Sequence, residues 1–82
     1  MTIRLLPDGT IELAGHCIID DAEKLHQHLM DDPKAAVDWR QCVDVHTAII
    51  QILLVARPAI KGPPTSDFLK SHIAPLFESR QV

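Results

Sequence analysis

The sequence predicts an α/β fold: a small open mixed sheet of three to four strands, with an N-terminal hairpin, a βαβ unit and two to three helices. Three observations predict it. A Pro7-Asp8-Gly9 turn separates two short apolar runs. A segment with helical spacing lies between two strand-like runs. The stretch Ala48-Ile49-Ile50-Gln51-Ile52-Leu53-Leu54-Val55-Ala56 is apolar over most of a helix's circumference. With 82 residues, a formal net charge of −3 and 46% hydrophobic residues, the chain suits one domain over residues 1–82. A domain this short builds only a thin core, and with few aromatics that core is aliphatic.

Residues 2–6 form the first strand, closed by the Pro-Asp-Gly turn. In residues 10–14 polar and apolar side chains alternate, so Ile11 and Leu13 face one side of the second strand. Gly15 to Ile19 then leave that strand. Asp20, with Glu23 three residues on, fits an acidic N-cap and capping-box partner. The helix that follows runs over residues 21–30, with Ala22, Leu25 and Leu29 inward and Lys24, Gln27 and His28 in water. Asp31-Asp32-Pro33 stops it. Ala35-Ala36-Val37 is the next strand, ending at Asp38 and parallel to the second through a right-handed crossover. A polar-tipped turn leads to a helix from near Thr47 to just before Pro58. Its wheel puts Ile49, Ile52, Leu53 and Ala56 inward, and Thr47 and Gln51 outward between Ile50 and Leu54. Residues 58–64 read as a linker with at most one short strand near Ala59-Ile60. Thr65 or Ser66 caps a last helix spaced on Leu69, Ile73 and Leu76, which Pro75 kinks or ends.

Function is expected where the strand ending at Asp38 gives way to the helix at Thr47, because ligands and partners of open α/β sheets gather at strand carboxyl ends. Asp44, His46 and Thr47 sit there. Thr47 lies at or near a helix N-terminus, where a phosphate would meet free N–H groups and a favourable dipole. Thr47 also has a plain structural use as the N-cap. Ile50 and Leu54 beside Gln51 form an apolar patch where an ordinary surface helix carries charge, which suits a protein partner or a covering helix. Cys42, His46 and His16 have ligand chemistry for a small metal-binding or hydrolytic domain, yet no CxxC pair accompanies them. Adjacent side chains at a helix start diverge, so His46 does not serve Thr47 as a base. No Gly-rich phosphate loop or nucleophile elbow is present. The expectation is therefore no enzyme, no metal and no cofactor. Cys17 and Cys42 have the chemistry to pair, but with no secretion signal they are expected as free buried thiols. The mild acidity and absence of a Lys/Arg cluster argue against nucleic acid. No signal-like segment or bilayer-length apolar run occurs, so a soluble, cytoplasmic protein without membrane insertion is expected.

The order Ile11-Glu12-Leu13-Ala14-Gly15-His16-Cys17, Asp20-Asp21-Ala22-Glu23-Lys24-Leu25, Val37-Asp38 and Cys42-Val43-Asp44-Val45-His46-Thr47-Ala48 resembles the STAS domains of anti-sigma-factor antagonists over residues 10–56. The resemblance implies bacterial signal transduction and a phosphorylated Ser or Thr at Thr47. It further implies a kinase-like anti-sigma factor, or other signalling protein, bound through Asp44, His46, Thr47, Ile50, Gln51 and Leu54. His46 replaces the family's Asp, and Ala48 and Ile49 replace its Ser and Gly. The region after Pro58 is shorter than in the family. The same family includes constitutive adaptors of membrane transporters, for which the state of Thr47 would not matter. A trimmed sheet leaves an open edge that pairing into a homodimer would close.

Overall fold

The Pro-Asp-Gly turn does what its composition dictates. In the computed structural model, which describes residues 2–78, β1 (Ile3–Leu5) and β2 (Ile11–Cys17) pair antiparallel, with Ile3 opposite Leu13. Gly9 takes φ +91°, open to glycine at little cost. The Asp8 carboxylate accepts the Thr10 N–H at 2.9 Å, and this bond holds it below the usual carboxylate range. Gly15 does not end β2. The strand runs on to Cys17 because its parallel neighbour continues alongside, and the Cys17 carbonyl accepts the His46 N–H at 2.9 Å.

Helix α1 (Ile19–Asp31) starts earlier than residue 21. Ile18 is the N-cap residue and has no polar side chain to offer. The expected Asp20–Glu23 pair is replaced by Asp21, whose carboxylate reaches back to the Ile18 N–H at 2.9 Å. Ala22, Leu25 and Leu29 are buried as the spacing requires.

The largest departure is β3 (Val37–Val45), which runs nine residues where a strand ending at Asp38 was expected. Two bulges hide it from a period-two reading. Glu12 and Ala14 of β2 pair with Asp38 and Gln41, and Gly15 and His16 pair with Cys42 and Asp44. At each bulge β3 carries one residue more than β2, so strict alternation is lost. Asp38 and Trp39 are consequently both buried, although they are adjacent.

Helix α2 (Thr47–Ala56) follows, then β4 (Ile60–Lys61), parallel to β3, completing a four-stranded mixed sheet in the order β1-β2-β3-β4. Ile49 and Leu53 are the buried residues of α2, Ile52 is half-buried, and Ala56 lies outward rather than in the core. Ser66 supplies the last cap, its hydroxyl accepting the Leu69 N–H at 3.4 Å. A π-helical stretch (Leu69–Ile73) then runs into α3 (Ala74–Glu78) straight through Pro75. The wider π turn, with the Ala74 N–H on the Leu69 carbonyl, comes just before the proline, whose ring and missing N–H disfavour a regular helix. It also shifts the inward face. Leu76 is exposed, and Phe77 instead meets the Trp39 ring edge-on at 5.3 Å. One apolar cluster joins β1, β2, β3, α1, α2 and the last helical segment. Among the described residues, no helix is long and apolar enough to cross a membrane.

Candidate functional site at the carboxyl ends of β2 and β3

Parallel pairing brings the carboxyl ends of β2 and β3 to the same edge, and α2 starts there. His46, not Thr47, is the N-cap of α2. Its Nδ1 accepts the Ala48 N–H at 3.0 Å, which places any ring proton of the neutral form on Nε2. Thr47 is the first helical residue and is exposed. Asp44 sits opposite His16 in the register, and its Oδ2 lies 2.9 Å from His16 Nδ1. Both side chains are at least half exposed, so this pair is a surface contact.

Asp44, His46 and Thr47 thus gather at one edge, as the sequence suggested. The remaining three candidates divide. Thr47, Gln51 and Val55 follow one another at helical spacing along the outward face of α2, and all are exposed. Gln51 opens onto a groove of ≈ 500 Å³ between α1 and α2, lined also by His26, Leu29, Met30, Ala48, Ile52, Val55 and Ala56. Ile50 is half-buried against the core, and Leu54, one turn on and also half-buried, borders a different cavity. Leu54 lines a second cavity of ≈ 490 Å³ with Trp39, Arg57, Gly62, Ala74 and Phe77. Gln51 and Leu54 therefore do not share one groove.

The three residues with ligand chemistry are engaged elsewhere. His16 contacts Asp44, His46 caps α2, and the Cys42 thiol lies 3.4 Å from the Asp44 carbonyl and 3.6 Å from that of Gly15. Among the described residues, no three His, Cys, Asp or Glu side chains are grouped to hold a metal ion. Cys17 and Cys42 are free and buried, with sulfurs 3.8 Å apart.

Several features escaped the sequence reading. The His16–Asp44 contact follows from two parallel strand ends, but the bulge at Val43 displaces the register that would reveal it. Met30 and Val55 are 64% and 85% exposed, and together they make the rim of the α1–α2 groove apolar. A charged row, Arg4, Glu12, Asp38 and Lys61, crosses all four strands in register. Arg4 Nη2 contacts Glu12 at 2.6 Å, and Arg40 grips Asp38 through both Nε and Nη2. These hydrogen bonds hold the Asp38 carboxyl below its ordinary value and raise Arg40.

Fold and site together define a class, a small α/β domain with a charge-free helix beside a polar strand-end cluster. No family model, curated protein or solved structure matches the chain.

Proposed function

We propose that this protein is a non-enzymatic interaction module of the bacterial cytoplasm, similar to STAS-type anti-sigma-factor antagonists, that docks a kinase-like or other signalling protein. The observation that carries the reading is the surface of α2. Its ten residues include no charged side chain, and Val55 stands 85% exposed. Exposed apolar groups clustered on a helix without charge favour a protein partner over bulk water. The docking surface runs from Asp44, His46 and Thr47 along Gln51, with Ile50 and Leu54 as its half-buried flanks. Phosphorylation of Thr47 would put about two negative charges at the head of this surface and repel the partner.

One observation favours the constitutive-adaptor reading within the same fold. The Ala48 N–H, which a phosphate on Thr47 would otherwise find free, is already taken by His46. Wild-type, Thr47→Ala, Thr47→Glu and Gln51→Lys proteins, used as baits in lysate of the native host with quantitative mass spectrometry, separate the two readings. A signalling protein that binds wild type and Thr47→Ala but leaves Thr47→Glu and Gln51→Lys is the expected result. Loss with Gln51→Lys alone leaves the adaptor, once protein genuinely phosphorylated on Thr47 binds equally well. A partner indifferent to all three substitutions overturns the surface.

A further inference from the structure

The two cysteines carry chemistry that the docking surface does not use. Cys17 ends β2 and Cys42 lies in β3, 2% and 1% exposed, with their sulfurs 3.8 Å apart in van der Waals contact. Buried free thiols are usually scattered through a core as small apolar groups. Here they meet across adjacent strands, Cys17 two residues beyond Gly15, the register partner of Cys42, with the bulged Val43 next to Cys42. A disulfide requires the sulfurs to close to roughly 2.05 Å, by side-chain rotation together with adjustment of the strands at that bulge.

We propose that Cys17 and Cys42 form a reversible dithiol–disulfide site, oxidised in place by a hydroperoxide, which ties β2 to β3 beside the start of α2. Position assigns the roles. Cys17 is the last residue of β2, at the carboxyl-end edge of the sheet, whereas Cys42 lies inside β3. Cys17 is thus the attacking thiol and Cys42 the resolving one. The Cys17 sulfur attacks one peroxide oxygen; an S–O bond forms, the O–O bond breaks, and the departing hydroxide takes the Cys17 proton and leaves as water. Cys42 then gives up its proton and attacks the Cys17 sulfur. The S–S bond forms, the S–O bond breaks, and the second hydroxide leaves as water with the Cys42 proton. Two thiols and one hydrogen peroxide become one disulfide and two waters, so the sulfurs lose two electrons and the peroxide gains them. Closing the disulfide also moves the Cys42 sulfur, which lies 3.4 Å from the Asp44 carbonyl oxygen, and so links the site to the strand end carrying Asp44.

The test treats folded wild-type protein with a small excess of hydrogen peroxide, quenches it, denatures it and alkylates remaining thiols. The expected product is a monomer lighter by two hydrogen atoms with no alkylatable thiol, and digestion yields a Cys17–Cys42 linked peptide. Dithiothreitol restores both thiols. Two thiols still alkylated, a mass raised by oxygen atoms without the linked peptide, or disulfide-linked dimers on a non-reducing gel would each overturn the site. In Cys42→Ser the Cys17 sulfenic acid is expected to persist and react with dimedone. Labelling of Cys42 in Cys17→Ser, with none of Cys17 in Cys42→Ser, would overturn the assigned order. If either variant fails to fold, the linked peptide from wild type still decides for or against the disulfide.

Discussion

Asp38 and His46 are each held by one local bond set, and each makes a prediction. Asp38 is buried, yet its carboxylate accepts the Arg40 backbone N–H at 3.0 Å and the guanidinium at 3.0 and 2.7 Å. Because its folded value is depressed, the unfolded chain binds the proton more readily, and folding gains stability as pH rises. That contribution is complete above the unfolded carboxylate value of about 3.9 and is lost as pH falls through the lower folded value. Asp38→Asn is expected to lower the urea midpoint at neutral pH and to flatten its decline below about pH 4, read from urea titrations across that range. The His46 side chain caps its own helix. His46→Ala should cost about 1 kcal/mol, the usual cost of losing a side-chain cap, and His46→Asp should restore it, by the same urea titration at neutral pH. Neither cap nor ion pair was legible in residue types alone. His is not a preferred cap, and Asp38 and Arg40, two residues apart, share a strand face only because β3 runs on past Asp38.

At the scale of elements, the sequence was clearest where a single period ran unbroken. Ala22, Leu25 and Leu29 marked the inward face of α1, and the Pro-Asp-Gly turn marked the hairpin. Reading failed where the backbone changes its repeat. The two extra residues of β3 broke alternation, so a nine-residue strand looked like a short strand and a turn. The π turn ahead of Pro75 moved the inward position from Leu76 to Phe77. Helix α2 shows how sharply neighbouring positions differ. Leu53 is 1% exposed and Val55 85%. Leu53→Ala is expected to cost roughly 2–5 kcal/mol, whereas Val55→Gln should change stability by less than about 0.5 kcal/mol. Thermal denaturation followed by circular dichroism would read both, and a similar loss at the two positions would contradict the orientation of α2.

For the whole molecule, a cluster of sixteen buried apolar side chains among the described residues carries the fold, and a charged row crosses the sheet from Arg4 to Lys61. Composition indicated the thin aliphatic core. The row was invisible because its members are far apart in sequence and meet only through strand register. The edge holding Asp44, His46 and Thr47 was legible, because strand–helix junctions in open sheets are placed by topology, whereas the split between Gln51 and Leu54 needed the positions of α1 and the last helical segment. The bulge at Val43 has a consequence for how this chain tolerates changes in length. Cys42 already faces Gly15 and Asp44 already faces His16, with Val43 between them 45% exposed. Deleting Val43 would leave every flanking pair in place and turn the step into an ordinary ladder rung, while deleting Val37 would shift the start of the strand by one and send its inward side chains to the other face. The first deletion is expected to yield a folded, dispersed amide spectrum and the second an unfolded one. A strand that carries a spare residue is a place where insertions and deletions can accumulate between lineages without the sheet losing its register.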